Sequence, residues 1–135
     1  MKRILVPIDG SEAARAALET AFDLFPDGDI HVLNVLQVTE LPSDGTASAA
    51  ELAASKSESV IDSATEVATD RGRDIRTEIT EGHAAKTIVA YTENNDIDHV
   101  VLGSTGRTGA RRILLGSVAE TVVRRAPCPV TVVRD

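Results

Sequence analysis

Gly103, Gly106, Gly109 and Gly116 are interleaved with the hydroxyl side chains of Ser104, Thr105, Thr108, Ser117 and Thr121. The chemistry such a stretch can do is that of close approach. Backbone without Cβ atoms can come against a ligand, and its N–H groups can turn inward as a nest for an anion, with phosphate the obvious candidate. The apolar run His99-Val100-Val101-Leu102 precedes it and reads as a buried strand, while Val118 to Val123 follows and reads as the start of a helix. A second turn of the same kind, Asp9-Gly10-Ser11, follows the apolar residues 2 to 8 and adds a carboxylate.

The loop is neither of the two commonest phosphate-binding patterns. No Gly-Lys-Ser/Thr occurs anywhere, which removes a Walker A motif, and the dinucleotide pattern G-x-G-x-x-G is absent as well. What the residues do spell is G-x2-G-x9-G-S, from Gly103 and Gly106 to Gly116-Ser117. That spacing resembles the ATP-binding signature of the universal stress protein family. Further likenesses run along nearly the whole chain in the right order: Arg3-Ile4-Leu5-Val6-Pro7-Ile8-Asp9-Gly10-Ser11, Asn34-Val35, and Ala126-Pro127-Cys128-Pro129-Val130-Thr131-Val132-Val133. The resemblance implies an open five-stranded parallel sheet in the order 3-2-1-4-5, a Rossmann-like fold of the adenine nucleotide alpha hydrolase type. It also implies ATP as ligand, with or without Mg2+ and with ADP or AMP as alternatives, and a homodimer joined through the C-terminal strand.

By the same resemblance the ligand-facing set is Pro7, Asp9, Val35, Gly103, Gly106, Arg107, Gly116, Ser117 and Val118. Asp9 would accept hydrogen bonds from the ribose or base region, and Val35 would meet adenine through its backbone. Each residue also has a structural reading. Asp9 is a routine turn and cap residue. Gly106 is also an ordinary turn glycine. Ser117 with Glu120 three residues on makes a capping box, although a phosphate at a helix N-terminus would use the same groups. Arg107, Arg111 and Arg112 could neutralise phosphate charge, yet on an acidic chain an arginine cluster equally forms a solvated face.

The elements that must hold these residues alternate strand and helix. After the first strand, a helix capped by Ser11 carries Ala14, Leu18, Ala21 and Phe25 along one stripe until Pro26-Asp27-Gly28. Residues 30 to 38 form strand two, and the polar stretch Thr39 to Ala49 reads as a mobile loop. Helix two places Ala53, Val60, Ile61, Ala64, Val67 and Ala68 on one face and stops at Gly72. Asp74 to Thr80 alternates Ile75 and Ile79 with charged residues, as an exposed edge strand would. Helix three (84 to 93), strand four (98 to 102), helix four (117 to 125) and a last strand (130 to 133) complete a β-α-β-α-β-α-β-α-β order. Short connections between them point to a parallel sheet covered on both faces.

Composition bounds the rest. At 135 residues one domain is expected, residues 1–135, with a core of Val, Ile, Leu and Ala because only two Phe, one Tyr and no Trp are present. A net charge of −7 argues against a general nucleic-acid binder, which needs a basic face. The acidic, lysine-poor surface fits either a high-salt habitat or a GC-rich genome. No segment reaches the ~20 apolar residues of a membrane span, and a lone Cys128 allows no internal disulfide, so a cytoplasmic protein is expected, without membrane or nucleic-acid partners. Cys128 reads as a buried structural thiol, and His31, His83 and His99 as strand or helix-end residues with no metal pattern. Three functions stay open: a regulatory adenine-nucleotide binder with slow or no hydrolysis, an ATPase or autophosphorylating enzyme, and a nucleotide-free interaction module.

Overall fold

The computed structural model describes residues 1–37, 47–105 and 115–134, the side chains of 47–50 excepted. Five parallel strands, β1 (Arg3–Pro7), β2 (Asp29–Gln37), β3 (Ile75–Gly82), β4 (His99–Gly103) and β5 (Val130–Val133), form one sheet in the order β3-β2-β1-β4-β5. Four helices connect them: α1 (Glu12–Leu24), α2 (Ala47–Asp70), α3 (Ala84–Asn94) and α4 (Ser117–Arg125). The order is the expected one. The chain winds outward from β1 through α1 and α2, then crosses to the other side of the sheet for α3 and α4, so the sequence direction reverses between β1 and β4.

Strand alternation divides the core in two. Ile4, Val6, Ile30, Val32 and Val101 point to one face and pack against α1 and α2, where Ala17, Leu18, Ala21, Phe22, Ala64 and Ala68 meet them. Leu5, Leu33, Val100 and Leu102 point to the other and pack against Ile88 of α3 and Ala119 and Val122 of α4. The near-continuous apolar run of β1 follows from this double burial. Each fully buried Leu, Ile or Val contributes about 1.5–3 kcal/mol, so aliphatic side chains carry this core almost without aromatics.

Several local expectations hold and some need correction. Ser11 caps α1, its Oγ accepting from the Ala14 N–H at 3.1 Å. Phe25 lies just beyond the helix as its C-cap and is only partly buried, while Phe22, a full turn after Leu18 on the same stripe, fills the core. Helix two begins at Ala47, so Ala47 to Ala49 belong to the helix and not to the preceding loop; the rest of that loop, 39–46, lies outside the described residues. Its apolar face is as expected, with Ser57 buried among the alanines and valines of the stripe. Gly72, at φ +66°, ends the turn after α2 in the left-handed conformation that glycine takes without penalty. Strand β3 is the exposed edge its sequence describes.

Two features fix the elements that flank the site. The Arg73 guanidinium donates to the carbonyls of Phe22, Phe25 and Gly28 at 3.2, 3.0 and 3.3 Å and lies over the Phe22 ring, a cationic clasp on the C-terminal end of α1. At Gly103 a Cβ would come within 2.7 Å of the Ala13 carbonyl carbon, so the first turn of α1 rests directly on the end of β4.

Candidate functional site

A cleft of about 810 Å³ opens over the carboxyl ends of β1, β2 and β4, where the strand order reverses. Ligands in open α/β sheets bind in such crevices because neighbouring connections leave to opposite faces there and part from one another. Pro7, Asp9, Val35, Gly103, Gly116, Ser117 and Val118 all line this cleft, although they come from three regions far apart in sequence. Gly106 and Arg107 lie outside the described residues, as do Thr108, Gly109, Arg111 and Arg112.

Each side chain is held by local geometry. Asp9 sits in the turn between β1 and α1, where one carboxylate oxygen, Oδ1, accepts from the Ser11 N–H at 2.9 Å. The turn continues through Gly10 at φ +88°, a conformation that side chains with a Cβ rarely adopt. Val35 stands near the end of β2. Ser104 is buried at the floor, its N–H donating to the Val133 carbonyl at 2.8 Å and its carbonyl accepting from the Gly116 N–H at 2.6 Å. That pair of bonds ties the glycine loop to β5 on one side and to the start of α4 on the other.

The capping box expected at Ser117 does not form. Gly116 is the N-cap and Ser117 the first helical residue, and among the described residues no side chain caps the helix. The Glu120 carboxylate instead accepts from Arg124 Nη2 at 2.9 Å. The bond from Gly116 N–H to Ser104 sets the entry one residue earlier than the Ser-x-x-Glu pattern indicates. The Thr121 hydroxyl, counted with the loop in sequence, turns back to donate to the Ser117 carbonyl at 2.9 Å. The first-turn N–H groups of α4 therefore face the cleft end of the helix without a side-chain acceptor among the described residues, in the arrangement that suits an anion.

Apart from Val35, the opposite end of the cleft was not legible as a site. Val35, Leu36, Leu52, Ala53, Val60 and Ile88 give it an apolar wall drawn from β2, α2 and α3. Lys56 and the buried Ser57 project from α2, and Asp9 and Lys56 are the charged side chains among the described lining residues. The one signal available in the sequence was Ser57, a polar residue inside an apolar stripe. Asn34 also lines the cleft, donating through Nδ2 to the Ile8 carbonyl at 2.9 Å.

The remaining polar residues are accounted for elsewhere. His31 is buried at the amino end of the sheet, where Nδ1 meets the Tyr91 hydroxyl at 2.8 Å and Nε2 the Asp29 carboxylate at 3.3 Å. Burial raises the Asp29 carboxyl, but hydrogen bonds from Arg76 and His31 outweigh it and hold the group below the usual carboxylate range. Burial pushes the Tyr91 hydroxyl up. His99 contacts the Thr131 hydroxyl at 2.7 Å, and burial lowers its imidazole. His83 is the N-cap residue of α3. Cys128 is half-buried, not fully buried, and its thiol is raised by burial and by the Asp98 charge. Among the described residues no group of three His, Cys, Asp or Glu side chains is placed to hold a metal, and no helix is long and apolar enough to cross a membrane.

Known proteins resemble this chain over most of their length. Universal stress protein MJ0531 of Methanocaldococcus jannaschii is 37% identical over 139 residues, covering 98% of this chain and 82% of the relative. The solved structure of protein MJ0577 superposes with a TM-score of 0.83 at 29% identity, covering 99% and 96% of the two chains. Universal stress protein UspA from Lactobacillus plantarum gives 0.76 at 28% identity, covering 98% and 97%. Two more distant structures of the same fold, at 21% and 16% identity, are a universal stress protein in complex with cAMP and an Arabidopsis thaliana family protein with AMP bound. They cover 98% and 99% of this chain, 96% and 92% of their own, with a TM-score of 0.75 each. The sequence model described as Universal stress protein family matches residues 1–134, and with the shared strand order and extensive identity to MJ0531 it follows that this chain belongs to that family.

Proposed function

We propose that the chain binds an adenine nucleotide, ATP in the first place with ADP or AMP as alternatives, as a regulatory ligand that it hydrolyses slowly or not at all. The observation that carries this reading is the division of one cleft into two chemically different ends. Hydroxyls, glycine backbone and the amino end of α4 stand at one end, and an aliphatic wall stands at the other. A phosphate chain suits the first and a purine the second. Asp9, beside the turn, offers its second carboxylate oxygen to the hydroxyls of a ribose between them.

The signature Gly106 and Arg107 would complete the phosphate end, and the cAMP and AMP complexes of distant proteins support a purine nucleotide as the class of ligand. Binding is favoured over turnover because the described phosphate end supplies groups that hold charge, while Asp9 is engaged by the Ser11 N–H in its turn. If Mg2+ accompanies ATP, the phosphate oxygens would hold it within the cleft. We place the protein in the cytoplasm, as a homodimer joined through β5.

Calorimetric titration with ATP, ADP and AMP at several salt concentrations tests the reading. Saturable binding of at least one of them is expected, together with single-turnover hydrolysis far slower than dissociation. No binding of any of the three would overturn the nucleotide assignment; hydrolysis faster than dissociation would make the protein an enzyme.

A further inference from the structure

Helix α2 presents one face to the aliphatic end of the cleft. Leu52, Ala53, Lys56, Ser57 and Val60 line it, whereas Ala54, Ser55, Glu58 and Ser59 between them do not. Positions i, i+1, i+4, i+5 and i+8 share one side of a helix, so the side chains of this stripe are the ones turned toward the cleft.

Burial along the stripe is uneven. Ala53 and Ser57 are 9% and 5% exposed, and Val60 packs half-buried against the core. Leu52, nearest the amino end of the helix, is 66% exposed. An exposed leucine by itself means little on a protein surface. This one is set apart by its place, because Val35, Leu36, Val60 and Ile88 of the same wall are buried or half-buried and Leu52 extends that wall outward into water.

The parts of a nucleotide differ in what they gain there. Phosphates are charged and a ribose is ringed with hydroxyls, so neither benefits from aliphatic surface; the flat faces of a base do. With phosphates at the glycine loop and ribose beside Asp9, the base is the part that runs along the wall. Two fused rings cover more of it than one, and the gain grows with the area taken out of water.

We infer that Leu52 is a specificity-determining residue, which favours purine over pyrimidine nucleotides because the second ring of the base covers its side chain. This rests on the nucleotide reading above. It adds a selection rule, that the preference for two rings resides in this residue of α2.

The test compares ATP with CTP. Both carry a triphosphate, a ribose and an exocyclic amine beside a ring nitrogen, and the number of rings separates them. The unaltered protein should bind ATP about tenfold more tightly. That gap should narrow by about threefold or more in Leu52→Ala, which removes the aliphatic surface yet keeps a strong helix former, and should persist in Leu52→Met, which keeps the surface. A variant that only disturbed α2 would weaken both nucleotides alike and leave their ratio unchanged. Equal affinity of ATP and CTP for the unaltered protein would overturn the inference, as would a smaller narrowing in Leu52→Ala or an equal narrowing in Leu52→Met. Binding of neither nucleotide would sink the nucleotide reading, a result separable from binding without discrimination.

Discussion

Gly103 and Asp9 belong to the same cleft for different reasons. At Gly103 the limit is space. A Cβ there would stand 2.7 Å from the Ala13 carbonyl carbon and 2.8 Å from its Cβ, so Gly103→Ala must push α1 away from β4. Overpacking of this kind costs about 1–3 kcal/mol, and a thermal melt should show the loss whether or not nucleotide is present. An unchanged melting temperature would mean that α1 can move without cost. At Asp9 the limit is chemistry, since the turn keeps its bond to Ser11 by one oxygen and leaves the other for a ligand. Asp9→Ala should weaken ATP binding roughly tenfold, the order expected for a hydrogen bond to a charged group, with the strand and helix on either side intact. Its ribose role would be refuted if ligands with and without ribose hydroxyls lost affinity equally.

Between elements, the join of β4, β5 and α1 contains the clearest pH-dependent group. His99 at the start of β4 lies against the Phe25 ring at 5.0 Å between centroids and meets the Thr131 hydroxyl of β5. Burial, and secondarily the Lys2 charge, depress its pKa from the ordinary 6.5. The folded state thus binds its proton less readily than the unfolded chain. Stability from this site is complete above pH 6.5 and is lost as pH falls from there through the folded-state pKa. Melting curves recorded between about pH 8 and 5 should show the advantage of the unaltered protein over His99→Gln shrinking below pH 6.5; parallel curves would exclude this contribution.

For the whole molecule, the sheet has two unlike edges. β3 is studded with charge and discourages pairing, whereas β5 is Val130-Thr131-Val132-Val133, half-buried, with β4 on one side only. Pairing of two copies across a two-fold axis would cover that edge, so we expect a dimer in solution that is broken by Val132→Pro or by deletion of residues 130 to 135. Light scattering at roughly tens of micromolar decides it, and a monomer of the unaltered chain, or a dimer that survives loss of β5, would show another mode of protection. Net charge acts at this scale too. If the −7 charge reflects a high-salt habitat, molar KCl should raise the melting temperature by screening carboxylate repulsion, and a flat response would leave genome composition as the better account.

The sequence by itself determined the elements and their order, because periodicity and punctuation are local. The double-faced apolar run of β1, the Ser11 cap, the Gly72 stop and the charged alternation of β3 were each written within a few residues, and the glycine spacing identified the loop. What only the tertiary structure decided depends on residues that meet across long separations. The strand order came from resemblance, since pairing preferences among five apolar strands are nearly degenerate. Ser117 moved from cap to first helical residue because a bond from the Gly116 N–H to the Ser104 carbonyl, twelve positions away, sets the entry of α4. Phe22 took the core position assigned to Phe25 because the helix ends before Phe25. Beyond Val35, the aliphatic end of the cleft was invisible in the chain, and so was the unpaired oxygen of Asn34, because a carboxamide becomes an orphaned acceptor only once the fold has buried it and spent its NH2 group on a neighbouring turn.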